Sequence, residues 1–262
     1  MPNWNNNIIS LIAKTDEAKK QIHTFIDKHI VVSKTANWND SLLEVDGNTL
    51  IPMPEGIVKL LSMGQFIQGD GIKTNLSYDK EAEEKQKEYN RKEYGDEDWY
   101  SFCCDKWGSK WGFCHTAFHT PDDYAVVNNK EELHNLLELN GNIEFTTECA
   151  WCPAVGLMKK ICELYPDIEF LCEWGEEQVT EYYGIYTYNK ENGWQAKYKK
   201  DIDVDEAYEM LDRLGLLCTE EDDGFFPNHN TGLVDYDNRL NAESEEYLPK
   251  DQRAGIIFGE SV

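Results

Sequence analysis

Residues 7–14 read NIISLIAK, an apolar run of strand length, and Thr15-Asp16-Glu17 then opens a segment whose apolar residues Ile22, Phe25 and Ile26 recur at helical spacing. A strand followed by a helix is the predicted opening. Residues 42–45 and 49–51 predict two extended pieces about the turn Asp46-Gly47-Asn48, halted by Pro52 and Pro54. The pattern is clearer in the second half. NIEFTT (142–147) predicts a strand. Residues 154–164 carry Val155, Leu157, Met158, Ile161, Cys162 and Leu164 on a helix that stops at Tyr165-Pro166, and IEFLCEW (168–174) predicts another strand. EYYGIYTY (181–188) and residues 194–198 then form a hairpin about Asn192-Gly193. Strand, helix, strand and hairpin place the chain in the α+β class, with helices on one face of a mainly antiparallel sheet.

Two stretches break this rhythm with charge. Residues 79–98 are dense in Glu and Lys at spacings such as Glu83/Lys87, which predicts an exposed helical insertion in a domain covering 1–200. Residues 201–262 contain 17 acidic and 4 basic side chains and form an acidic C-terminal extension. Its first part, 203–217, is an amphipathic helix with Ala207, Met210, Leu211, Leu214 and Leu217 as its stripe; loop and extended structure follow Cys218.

Composition narrows the function. The 262 residues, 40% of them hydrophobic, suffice for a core. No run of eighteen apolar residues occurs, and the start MPNWNNNIISLIAK lacks the basic and apolar blocks of a secretory signal, so a cytoplasmic protein is expected. In that compartment the eight cysteines are expected as free thiols. A net charge of −25 opposes direct binding to nucleic-acid phosphates, and with no apolar span no membrane partner is expected.

Several patterns invite chemistry. Cys149 and Cys152 form a Cys-x-x-Cys pair before a helix, the context of a redox dithiol. Cys103, Cys104, Cys114, His115 and His119 have zinc-ligand chemistry, but adjacent cysteines do not readily turn to one ion, so no metal is assigned. Trp107, Gly108, Lys110 and Trp111 lie in a glycine-containing turn that, with Trp151, can make an aromatic surface centred on Lys110 for a base or a protein partner. Tryptophans in such a loop more often serve as core pins against the sheet. Pro2, exposed by removal of Met1, offers a secondary amine. No phosphate-binding, dinucleotide or nucleophile-elbow motif is present, and no catalytic residue or cofactor is assigned.

The order of Met1-Pro2-Asn3-Trp4, Pro52-Met53-Pro54-Glu55, Trp107-Gly108-Ser109-Lys110-Trp111 and Glu148-Cys149-Ala150-Trp151-Cys152-Pro153 resembles the YubB-like family of phages and plasmids over about residues 1–194. The resemblance implies a ferredoxin-like fold and an origin on a mobile genetic element, with no established activity. Ser109 stands where the family has Thr, and Ala154 where it has a second proline. Small residues usually fill the positions of Cys149 and Cys152, which makes the pair two small-residue substitutions in a turn.

The expected function is therefore that of a phage or mobile-element accessory protein without catalytic activity. Its acidic surface would engage a host protein's basic, nucleic-acid-binding surface and block a defence or nucleic-acid enzyme. The alternative is a small-ligand or nucleotide binder built on the tryptophan loops and Pro2.

Overall fold

A computed structural model describes residues 3–37, 39–63, 66–68, 71–73, 80–121, 125–176 and 182–216. The chain opens with β1 (Trp4–Ile12), α1 (Asp16–His29), β2 (Ile30–Val32), β3 (Leu43–Val45), α2 (Gly47–Leu50) and α3 (Glu55–Met63). It continues through the small hairpin β4 (Phe66–Gln68) and β5 (Gly71–Lys73), then α4 (Lys80–Tyr94), α5 (Trp99–Phe102) and a π-helical turn over Cys103–Trp107. The remainder is β6 (Cys114–His119), β7 (Val126–Val127), α6 (Lys130–Asn140), β8 (Asn142–Ala150), α7 (Val155–Leu164), β9 (Glu169–Glu176), β10 (Tyr183–Asn189), β11 (Gly193–Tyr198) and α8 (Val204–Arg213).

Seven strands form one sheet in the order β11-β10-β9-β1-β8-β6-β7, every neighbouring pair antiparallel. The first strand lies between β8 and β9: Ile9 faces Phe145 on one side and Cys172 on the other. Both β8 and β9 run opposite to β1, so β8-α7-β9 is a split β-α-β unit, the element that marks a ferredoxin-like arrangement.

Alternation along the strands builds two apolar faces. Ile9, Leu11, Ile143, Phe145 and Phe170 face α1, α6 and α7, whose Ile22, Phe25, Ile26, Leu133, Leu137, Leu157, Met158 and Ile161 complete the main core. The helices are positioned by local chemistry: the Thr15 hydroxyl accepts from the Ala18 N–H, and the Asn129 amide oxygen accepts from the Glu132 N–H.

The opposite face corrects the one-sided expectation. Ile8, Tyr183 and Ile185 alternate outward and are covered by α8 through Ala207, Met210, Leu211 and Leu214. Arg213 fastens this helix by ion pairs to Glu173 of β9 and Glu144 of β8, and Ser10 donates to the same Glu144 at 2.8 Å. The apolar stripe is the one predicted, but it seals the sheet's second face. Residues 217–262, including Leu217, Cys218 and most of the expected acidic extension, lie outside the described residues, as does Pro2.

Two further differences have local causes. The stretch 49–51, expected extended, belongs largely to α2, because the Asp46 carboxylate accepts from the Asn48 N–H and starts a helical turn. The charged stretch does form a helix, α4, but Asn90 is fully buried and donates to the carbonyls of Gly56 at 3.2 Å and Glu97 at 3.0 Å, which ties α4 to α3.

At the end of α1, His29 is buried between the Thr49 hydroxyl at 2.8 Å and the Tyr165 hydroxyl at 2.7 Å. Burial lowers its pKa from the usual histidine value; Lys28 adds to the fall and Asp46 opposes it. The unfolded chain thus takes up a proton that the folded chain refuses. The stability from this site is complete above about pH 6.5 and drains as pH falls from there toward the lowered folded value. Urea denaturation at pH 7.5 and 5.5 checks this: the wild type should lose more stability between the two than His29→Gln, and equal losses would refute the assignment.

Candidate functional site

The loop after α5 is shaped by a backbone contact. The π-helical turn ends at Gly108, whose N–H donates to the Cys103 carbonyl at 3.0 Å with φ of 83°. This left-handed residue lies against the first turn of α7, where a Cβ on Gly108 would come within 3.0 Å of the Val155 and Gly156 nitrogens. From the other side, a Cβ on Gly156 would come within 2.0 Å of the Lys106 carbonyl oxygen. Only glycine at 156 allows this approach.

Side chains then fix the loop to the sheet. The Ser109 hydroxyl, buried, donates to the Ala150 carbonyl at the end of β8 at 3.2 Å. The Trp107 indole N–H donates to the Ile51 carbonyl at 3.0 Å, and its ring meets Phe102 edge-on at 6.2 Å. This corrects the expectation that Trp107 shares the aromatic surface: it pins the loop from inside, and Gly108 contributes backbone alone.

Lys110, Trp111 and Trp151 do come together. The Lys110 ammonium lies 4.5 Å from the Trp111 ring centre, 5.2 Å from that of Trp151 and 5.9 Å from that of Tyr100. Cation–π contacts at such an exposed position stabilise by about 0.5–1 kcal/mol. The rings remain open to solvent, with relative exposures of 43% for Tyr100, 37% for Trp111 and 44% for Trp151. Trp4 extends the patch, 5.6 Å from Trp111 and 5.3 Å from His115, and the His115 Nδ1 is 2.7 Å from a Glu148 carboxylate oxygen.

Trp151 is held in a left-handed backbone conformation, φ 68°, with its N–H donating to the Asn3 carbonyl at 2.9 Å. That conformation costs a bulky residue about 1–2 kcal/mol. His115 is also left-handed, at φ 50°, beside a bulge in the β6–β8 pairing. Tyr100, Trp4 and Glu148 were not among the expected site residues. Trp4 was visible as part of the N-terminal box; Tyr100 sits in a four-residue helix whose Asp98/Ser101 capping box gives no functional signal.

The cysteines go elsewhere. Cys149 lies in β8 facing the core and Cys152 two residues beyond that strand, so neither opens a helix. Burial pushes the Cys149 thiol well up, whereas Cys152 is exposed and its Sγ donates to the Gly108 carbonyl. Cys103 is buried and pushed up to about 12. Cys103 and Cys104 lie in the π-helical turn, whereas Cys114, His115 and His119 lie on β6. Among the described residues, no three His, Cys, Asp or Glu side chains converge in the manner of a metal site, and the seven described cysteines are unpaired.

Residues 127–215 match the family described as the ferredoxin-like domain in Api92-like protein. This segment runs from β7 through α8 and supplies Glu148 and Trp151, while Trp4, Tyr100, Lys110 and Trp111 lie before it. Among solved structures, the crystal structure of a protein api92 from Yersinia pseudotuberculosis is similar, with a TM-score of 0.33 and 9% sequence identity, over 76% of this chain and 98% of that one. No curated protein matches the chain.

Two measurements check this site. Gly156→Ala should lower unfolding stability by about 1–3 kcal/mol, because the backbone must part to admit a methyl group; an unchanged stability would exclude the close contact. Alkylation by iodoacetamide at pH 8 should be on the order of 100-fold slower at Cys149, which is buried in β8, than at a free model thiol. Reaction at the model rate would restore the redox reading of the Cys-x-x-Cys pair.

Proposed function

We propose that this chain is a non-catalytic interaction module. It docks a partner on the Trp4/Tyr100/Lys110/Trp111/Trp151 surface and uses its acidic charge to select a basic, nucleic-acid-handling host protein. The observation that carries this reading is the solvent-open group of aromatic rings in a chain of net charge −25. Trp and Tyr dominate protein–protein hot spots because they bring large area at low entropy cost, and surrounding charge steers the encounter. Asp98 caps the short helix that carries Tyr100, and Glu148 flanks His115, so carboxylates border the rings.

Two clefts among the described residues are smaller than a usual ligand pocket. One, bordered by His119, Leu133, Leu136 and Ile143, has a volume of about 180 Å³, and the other, between Asn6, His115, Glu148 and Arg213, about 90 Å³. Ligand pockets usually span about 300–1,000 Å³. The sequence resemblance to the YubB-like family supports an accessory role on a phage or plasmid, in the host cytoplasm. Among the described residues no helix is long and apolar enough to cross a membrane.

The test is affinity capture from host lysate with the full chain and with Trp111→Ala and Trp151→Ala. A basic nucleic-acid-binding protein should be retained by the wild type and released near half-molar salt, where screening shortens to a few ångström. Each substitution should weaken retention at least about 5-fold, the loss of roughly 1 kcal/mol that marks a hot spot. Capture indifferent to salt and to both substitutions would sink the proposal.

A further inference from the structure

A second site lies where α1 packs beside α6, away from the aromatic patch. His23 of α1 and His134 of α6 turn their rings together, centres 4.9 Å apart, and their Nδ1 atoms are separated by 2.7 Å. Their outer nitrogens are both engaged: the His23 Nε2 is 2.8 Å from a Glu138 oxygen, and the His134 Nε2 is 3.1 Å from an Asp27 oxygen. Lys19 holds the other Glu138 oxygen at 3.1 Å, and Lys130 donates to the Asp27 backbone carbonyl at 2.9 Å.

Donor and acceptor roles follow from these contacts. A carboxylate only accepts, so each Nε2 carries a hydrogen and each ring meets its neighbour through the Nδ1 lone pair. Two lone pairs at 2.7 Å repel unless a cation stands between them. A proton can fill that place, and so can a metal ion. We propose that His23 and His134 form a site for a divalent transition-metal ion of the zinc and nickel class, bound through the two Nδ1 atoms.

The outer contacts point to the metal. A ligating histidine characteristically donates its other ring N–H to a carboxylate, which fixes the tautomer and raises ligand basicity, and here both histidines have that partner. Imidazole nitrogen suits zinc, nickel and copper, whereas magnesium and calcium require oxygen ligands. Tetrahedral zinc with bonds of about 2.0–2.1 Å sets its two nitrogens about 3.3 Å apart. The rings must therefore open by only about 0.6 Å, and both are partly exposed at the surface. The ion takes the place between the two Nδ1 atoms, and water fills the remaining positions, since no third protein ligand converges among the described residues. Such an ion would clip α1 to α6.

Equilibrium dialysis of the full chain against Zn²⁺, repeated with Ni²⁺, tests the site. His23→Ala and His134→Ala should each bind one ion fewer per chain than the wild type while keeping the wild-type far-UV circular dichroism. Asp27→Asn and Glu138→Gln should retain the ion at roughly 10–100-fold lower affinity, as expected for outer partners. Wild-type stoichiometry in both histidine variants would place any bound zinc on thiols or other histidines and overturn the proposal, as would a wild type that binds neither metal.

Discussion

Everything described here hangs on β1 being paired along both edges. A strand that satisfies its backbone against β8 on one side and β9 on the other must be central, and it forces those two strands parallel to one another with a gap of one strand between them. The connection between them therefore has to cross a face of the sheet, and α7 is that crossing. With Ile9 and Leu11 on one side and Ile8 on the other, the same nine residues also commit the sheet to two buried faces.

The site inherits its geometry from this crossing. The end of β8 delivers Trp151, the start of α7 receives the π-helical turn, and the start of β1 brings Trp4 beside Trp111. Residues far apart in sequence are thus held by backbone contacts and a few buried hydrogen bonds, with the exposed rings as the outward part of an otherwise structural junction.

Much of this was legible in the sequence. β1, α1, the β8-α7-β9 unit and the β10–β11 hairpin follow from apolar spacing and from Asn192-Gly193, because one dominant period governs each segment. The apolar stripe of α8 was equally visible, but a stripe does not say which surface it covers. That depended on Tyr183 and Ile185 facing away from the main core, which alternation in a tyrosine-rich strand conceals. Residues 49–51 were misread because Asp46-Gly47-Asn48 serves a hairpin turn and a helix cap alike. The grouping of Lys110, Trp111 and Trp151 was read from the sequence, and their side chains do lie together. The separate fate of Trp107 was not legible, since its inward turn depends on the Ile51 carbonyl, 56 residues away in the sequence. The histidine pair had no sequence signal at all: His23 and His134 are 111 residues apart and meet only because two helices share one sheet face.

The closeness of the Lys106 carbonyl to Gly156 has a consequence for how such a surface can change over evolutionary time. Because the loop meets this helix through bare backbone and is held elsewhere by Ser109 and Trp107, the identities of Lys110 and Trp111 can drift without disturbing that contact, so long as a glycine stays on the helix beneath. Transplanting the loop alone into an unrelated protein would fail for the same reason. The transferable unit is the loop together with the first turn of the helix, two pieces separated in the chain that behave as one inherited part.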